Sequence, residues 1–171
     1  MNDMKPVPGP VSLDAADRHL LEVLSRDGRR SAARLAQELG ISRQAVTQRI
    51  RDLERRGVIR GFRADVDPHA LGLGVRADIR LTLNPALMPK GEKELLRLLA
   101  GNPRVRSVHR VSGEDCFVVE VLSRRIEDVT AILAELRATK ALAGSRTSFV
   151  LETLVEKGSL GPAEGLVEET P

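Results

Sequence analysis

The chain has 171 residues, 42% apolar and 30% charged, and a formal net charge of +3, which allows one or two small domains with a real core. Three Phe with no Trp or Tyr leave few aromatic platforms for stacking single-stranded bases, and one cysteine, Cys116, excludes an internal disulfide or a multi-cysteine zinc site. No apolar run approaches the roughly 20 residues of a membrane span, and the opening MNDMKPVPGP lacks the apolar centre of a signal peptide, so the expectation is a soluble cytoplasmic protein with no membrane partner.

Residues 1–11 hold three prolines and a glycine and read as a disordered arm. Asp14 suits the cap of a helix running to about Ser25, with Leu20, Leu21 and Leu24 as its apolar stripe. Asp27-Gly28 ends it. Ser31 then caps a second helix whose apolar face is Leu35, Ala36 and Leu39, and Gly40 fits the left-handed position beyond its end. Ser42 caps a third, with Val46, Ile50 and Leu53 spaced four and three apart. Three such helices can wall in one small core.

The face of the third helix opposite Val46 and Ile50 carries Arg43, Gln44, Thr47, Gln48 and Arg51. These side chains supply long donors, two amides and a hydroxyl with its methyl, the groups that meet base edges and phosphates in a major groove. The small Ala36 and the turn glycine Gly40 complete a helix-turn-helix pattern for double-stranded DNA. Between positions 29 and 63 stand ten arginines (29, 30, 34, 43, 49, 51, 55, 56, 60, 63) against three acids, Glu38, Asp52 and Glu54. The basic excess of the chain is concentrated there. Candidate DNA contacts are therefore Ser42, Arg43, Gln44, Thr47, Gln48, Arg49, Arg51 and Arg55. Gln44, Thr47, Gln48 and Arg51 are placed on bases, and Arg43, Arg49 and Arg55 on phosphates.

After Gly57 the stretch from Val58 to Val66 suggests a short strand or small wing, with Arg60 and Arg63 within reach of phosphate. Asp67-Pro68-His69 and Gly72-Leu73-Gly74 carry turn chemistry, so 64–74 reads as a linker. Beyond it the texture changes. Residues 75–83 alternate apolar and polar, as a strand with one buried face does. A helix from about Glu92 to Ala100 follows, then a strand from Val105 to Val111, a turn at Ser112-Gly113-Glu114-Asp115, and the apolar strand CFVVEVL from Cys116. That strand is apolar enough to be central and buried on both faces. A helix from about Arg125 to Thr139 and a last strand from Ser145 to Val155 complete the order β-α-β-β-α-β. This is the ferredoxin-like split pattern, with both helices on one face of four antiparallel strands. The fold class is α+β. Apolar residues on both sides of a single sheet would leave one face exposed, and a two-fold homodimer through that face is the expected remedy. The tail 158–171 is rich in Gly and Glu.

The motifs LDAADRHLLEVLSRDGR, LAQELGISRQAVTQRIRDLERRGVIRGF, DPHALG and VSGED, taken together over about Leu13 to Lys157, resemble the Lrp/AsnC (feast/famine) family of transcription regulators. The resemblance implies a winged-type helix-turn-helix domain at 12–63 and a ferredoxin-like (RAM/ACT-like) domain for effector binding and dimerisation at 75–157. It also implies a homodimer that assembles into a tetramer or octamer, with a small-molecule effector such as an amino acid held between dimers near Gly113. The effector-site positions are then Ser112, Gly113, Glu114, Asp115 and Cys116. Here the chain departs from the family, which places an aromatic and then an acidic residue where this sequence has Asp115 and Cys116.

No catalytic residue, cofactor or metal is expected, because His19, His69 and His109 are scattered without ligand spacing. Two other readings belong beside the regulator. One is an architectural DNA organiser that binds phosphates with little base readout. The other is a tetrapyrrole decarboxylase of the same architecture, for which His109 and Arg110 would be the acting pair.

Overall fold

The computed structural model describes residues 11–155. The expected arm before Val11 and the tail after Lys157 lie outside the described residues. The chain forms two compact units, one up to Ala64 and one spanning Asp65–Leu154.

The first unit holds α1 (Ala15–Arg26), α2 (Ala32–Leu39) and α3 (Arg43–Arg55). Each begins on a short polar side chain that accepts from the free amides of its first turn: Asp14 from Asp17 N–H, Ser31 from Arg34 N–H and Ser42 from Ala45 N–H. Gly40 ends α2 in the left-handed conformation at φ 65°, where a side chain would be strained. The resulting tight turn lets α2 and α3 share one core. Leu20, Leu24, Leu35, Val46 and Leu53 form it, with Ala36, Ile41 and Ile50 packed around them.

The sequence suggests a strand or wing after Gly57. Among the described residues, none of 58–66 joins a ladder. Val58 and Ile59 instead fold back onto the end of α3, their amides donating to Leu53 O at 2.9 and 3.2 Å. Two side chains that could have alternated along a strand are thereby spent on the helical core.

The second unit is a four-stranded antiparallel sheet made of β1 (Val75–Leu83), β2 (Val105–Arg110), β3 (Phe117–Ser123) and β4 (Leu142–Phe149), in the order β2-β3-β1-β4. Helices α4 (Lys90–Gly101) and α5 (Ile126–Ala138) complete the β-α-β-β-α-β order. Alternation sends Ala77, Ile79, Leu81 and Leu83 of β1 and Phe117, Val119 and Val121 of β3 to one side. There they pack with Leu95 and Leu99 of α4 and Val129, Ile132 and Leu136 of α5. At Gly91 the first turn of α4 comes so close to β4 that a Cβ would lie 2.9 Å from that of Ala141.

Two strand expectations need correction. The last strand is displaced to Leu142–Phe149 instead of 145–155, and it ends where its partner does. Ala77 faces Phe149, Val150 N–H donates to Arg76 O, and β1 begins at Val75. Residues beyond have no ladder to join, and Leu151 is left 97% exposed. The central strand β3 is buried on one face only, since Val118, Glu120 and Leu122 are half-buried. Within this unit that second face is mostly polar. Arg76, Asp78, Arg80 and Thr82 of β1 lie there beside Glu120, and Arg76 pairs with Glu120 at 3.0 Å. The apolar exposure expected to force pairing of two sheets is thus reduced to Val118 and Leu122.

Leu95 is fully buried between α4 and the sheet. Leu95→Ala is expected to destabilise this unit by about 2–5 kcal/mol, through lost burial plus the cavity left behind. Urea unfolding followed by circular dichroism measures it, and a loss under 1 kcal/mol would contradict the assigned core.

Candidate nucleic-acid interface

Helix α3 divides into two faces. Val46 and Leu53 are buried, and Ile50 packs beside them. Outward, Arg43, Gln44, Thr47, Gln48 and Arg51 line one open concavity. Successive turns at i, i+4 and i+8 place 43, 47 and 51 in one row and 44 and 48 in the next. Thr47 Oγ1 donates to Arg43 O at 3.0 Å, which occupies its proton within the helix and leaves its methyl and oxygen lone pairs for a partner. Ser42 accepts from Ala45 N–H at 3.1 Å, so its oxygen is the helix cap and its hydroxyl proton remains to donate. All five groove-facing residues expected from the sequence are thus side by side.

Arg49, expected at phosphate, is placed otherwise. Its guanidinium reaches back to α1, 2.6 Å from Asp14 Oδ2 and 2.7 Å from Asp17 Oδ1. Arg56 approaches the other Asp17 oxygen at 3.6 Å and donates to Ser12 O. Asp17 is 7% exposed, so its charge needs such partners. The physical reason is angular: position 49 follows the outward-facing Gln48 by about 100°, towards α1. The Asp17 N–H bond and then the Arg49 guanidinium hold the Asp14 carboxyl below the ordinary carboxylate range.

Arg55 remains largely exposed but shares Asp52 with Gln48. Asp52 Oδ1 accepts from Arg55 at 2.6 Å and from Gln48 Nε2 at 2.9 Å. The sequence reading missed Asp52, although its i+4 relation to Gln48 was a usable signal.

The turn between β2 and β3 separates the residues grouped there. Gly113 adopts φ 120°, and Ser112 and Glu114 point to solvent. Asp115 turns inward, its side chain 13% exposed, 3.4 Å from Arg80 and 3.9 Å from Arg146. Arg80 and Arg146 stand directly opposite one another on β1 and β4. Like charges so placed repel, and Asp115 offsets that repulsion. Cys116 lies just before β3, its N–H donating to Leu81 O at 2.8 Å, and packs against the apolar core.

Comparison with known proteins agrees with both halves. Residues 13–60 match the winged helix-turn-helix DNA-binding family, and residues 79–160 match the Lrp/AsnC ligand binding domain. The HTH-type transcriptional regulator AldR of Mycolicibacterium smegmatis is 36% identical over 143 residues, covering 83% of each chain. The chain belongs to the Lrp/AsnC family of transcriptional regulators. The leucine-responsive regulatory protein of Escherichia coli is 30% identical over 164 residues, 94% of this chain and 97% of that protein. Escherichia coli AsnC superposes with a TM-score of 0.78 at 26% identity over 86% of this chain and 97% of its own. A transcriptional regulator of Neisseria meningitidis solved with L-Met has the same fold, with a TM-score of 0.81 at 22% identity over 90% of this chain and 99% of that one.

Lrp/AsnC regulators are not enzymes, and β2 gives the decarboxylase reading no site. Arg110 lies over the core-facing Phe117 ring, 4.8 Å from its centroid, and pairs with Glu92 of α4. His109, one residue earlier on the strand, projects from the other face. The two cannot meet one substrate.

The ionic contact between α1 and α3 yields a stability test. Arg49→Met should cost about 1–3 kcal/mol, less than a wholly buried pair would lose because Arg56 still faces Asp17. Asp14→Ser keeps the helix cap but removes the titrating carboxylate. Because Asp14 is held low in the folded chain, its contribution is present above pH 3.8 and is lost as pH falls through the folded value. Thermal unfolding between pH 3 and 6 should therefore show a shallower acid loss for Asp14→Ser than for wild type.

Proposed function

We propose that α3 is the recognition helix of a sequence-specific regulator, with 12–63 as its DNA-binding domain, 64–74 as a linker and 75–157 as the domain for ligand binding and self-association. The observation that carries this reading is the exposed concavity lined by Arg43, Gln44, Thr47, Gln48 and Arg51 on a helix whose opposite face is buried. Gln44, Thr47, Gln48 and Arg51 meet base edges in the major groove, while Ser42, Arg43 and Arg55 meet phosphate. Arg49 serves indirectly, by fixing the helix against α1.

A small-molecule effector, with an amino acid the leading class, binds the second domain around 112–116. The match to the Lrp/AsnC ligand binding domain supports this. An α-amino acid offers a carboxylate for Arg80 and Arg146 and an ammonium for Asp115, all on the same sheet face. Two copies pair through that face, which none of this unit's own helices covers, and dimers assemble further into a tetramer or octamer in the cytoplasm. Pairing brings two recognition helices to two half-sites of one operator. Effector binding shifts operator affinity through a coupling between the two sites.

The double substitution Gln48→Ala, Arg51→Ala tests the recognition helix in a gel-shift titration against the operator. Two lost groove contacts should weaken specific binding by about 2–6 kcal/mol while sparing weak nonspecific binding; unchanged operator affinity would sink the assignment. Arg43→Ala should weaken all sequences alike and reduce the slope of log affinity against log salt by about one. For the effector, a thermal-shift panel of the common amino acids at millimolar concentration should give at least one stabilised melting curve. Silence across the panel would remove the amino-acid class.

A further inference from the structure

Gln48 is one of the groove-facing residues, but a free glutamine is an ambiguous reader. Its amide can present either an acceptor and a donor or, turned over, two N–H groups, and so suits several bases. In this structure the ambiguity is removed. Gln48 Nε2 donates to Asp52 Oδ1 at 2.9 Å. A carboxylate only accepts, so the reversed amide would set two oxygens against each other at that distance. The same Asp52 oxygen accepts from Arg55 at 2.6 Å, which anchors the carboxylate from its other side. With one amide N–H engaged, the exposed end of Gln48 offers its carbonyl Oε1 and the single remaining N–H.

We propose that Asp52 is a specificity-determining residue: by locking the Gln48 amide it makes α3 select, at the base pair Gln48 meets, the strand orientation that sets the pair's major-groove exocyclic amino group against Oε1. Adenine fits first, because N6–H₂ donates to Oε1 while N7 accepts the remaining N–H; cytosine, with its N4–H₂, fits second. Guanine presents O6 and N7, both acceptors, and thymine presents O4. Each would set an acceptor against Oε1 and leave only the remaining N–H to meet it. Asp52 acts through Gln48 and is a positioning residue. This inference rests on α3 being the recognition helix.

The test is selection of the full-length protein on a randomised duplex, followed by sequencing of the bound pool. Comparison of wild type with Gln48→Ala identifies the positions Gln48 reads, as those whose preference disappears. At those positions the wild type should favour one orientation of a pair, adenine over thymine or cytosine over guanine on the same strand of every half-site. Asp52→Ala and the isosteric Asp52→Asn should admit the reversed pair, with discrimination falling about tenfold there and unchanged elsewhere. Both substitutions also release Arg55 and add a net positive charge, so total affinity should rise and its salt slope steepen for every sequence alike. Base preference, not affinity, is therefore the readout, and a merely structural Asp52 would not move it at one position alone. A wild type that accepts both orientations of one pair equally at the Gln48 positions overturns the proposal, as does an Asp52→Asn profile identical to wild type. A wild type that enriches no sequence, while still binding duplex DNA, overturns the recognition-helix reading and this inference with it.

Discussion

The proposed recognition helix, α3, can present a readable face only if its rotation about its own axis is fixed, and that rotation is fixed twice. Apolar burial of Val46 and Leu53 sets the inward face coarsely. The pairing of Arg49 with Asp14 and Asp17 sets it finely, because charged hydrogen bonds are directional where apolar contact is not. A helix turned by one residue, about 100°, would carry Gln48 out of the groove row and bring Arg49 into it. It would also take Arg49 from the buried Asp17, so the register that exposes 43, 44, 47, 48 and 51 is the one that keeps this pair.

Much of this was legible in the sequence because it depends on near neighbours. The three caps, the left-handed Gly40 and the apolar spacing of α3 each involve residues within one or two turns, and all form as read. The alternation of 75–83 likewise gave the buried face of β1, whereas the apolar run of β3 suggested burial on both faces and has it on one. What escaped depends on distant partners. Arg49 looked like one more arginine in a basic stretch, and nothing local ties it to residues 32 and 35 positions away. Strand β4 was read late because Ala143 and Gly144 are poor strand formers, whereas its actual limits come from where β1 offers ladder groups. Val58 and Ile59 have strand composition but find a core to fill before they find a strand to pair with.

The open face of the sheet shows why composition misleads there. Its strands looked apolar on both sides, yet the second face carries Arg76, Asp78, Arg80, Glu120 and Arg146, with Asp115 closing over two of the arginines. Association through such a face needs charge complementarity across it as much as apolar burial, and isolated like-charge contacts would oppose it. A face of this kind answers readily to a charged small molecule. In the proposed assembly, one carboxylate or ammonium arriving near Asp115 would change the sum of charges that a second copy meets.

The same logic of shared counterions governs the proposed recognition helix. Asp52, like Glu54, is an acid on that helix, and for affinity to a polyanion alone it is a liability. Its position is intelligible only if something other than affinity is served. By holding Gln48 and Arg55 together it gives up part of one positive charge to fix the orientation of one amide. Arg49 and Asp17 make the corresponding trade between α1 and α3. In both places a long, flexible side chain is tied down by a carboxylate within the domain, and freedom that would have favoured indiscriminate phosphate binding is exchanged for a defined pattern of donors and acceptors. A protein that only coated DNA would gain by losing both acids.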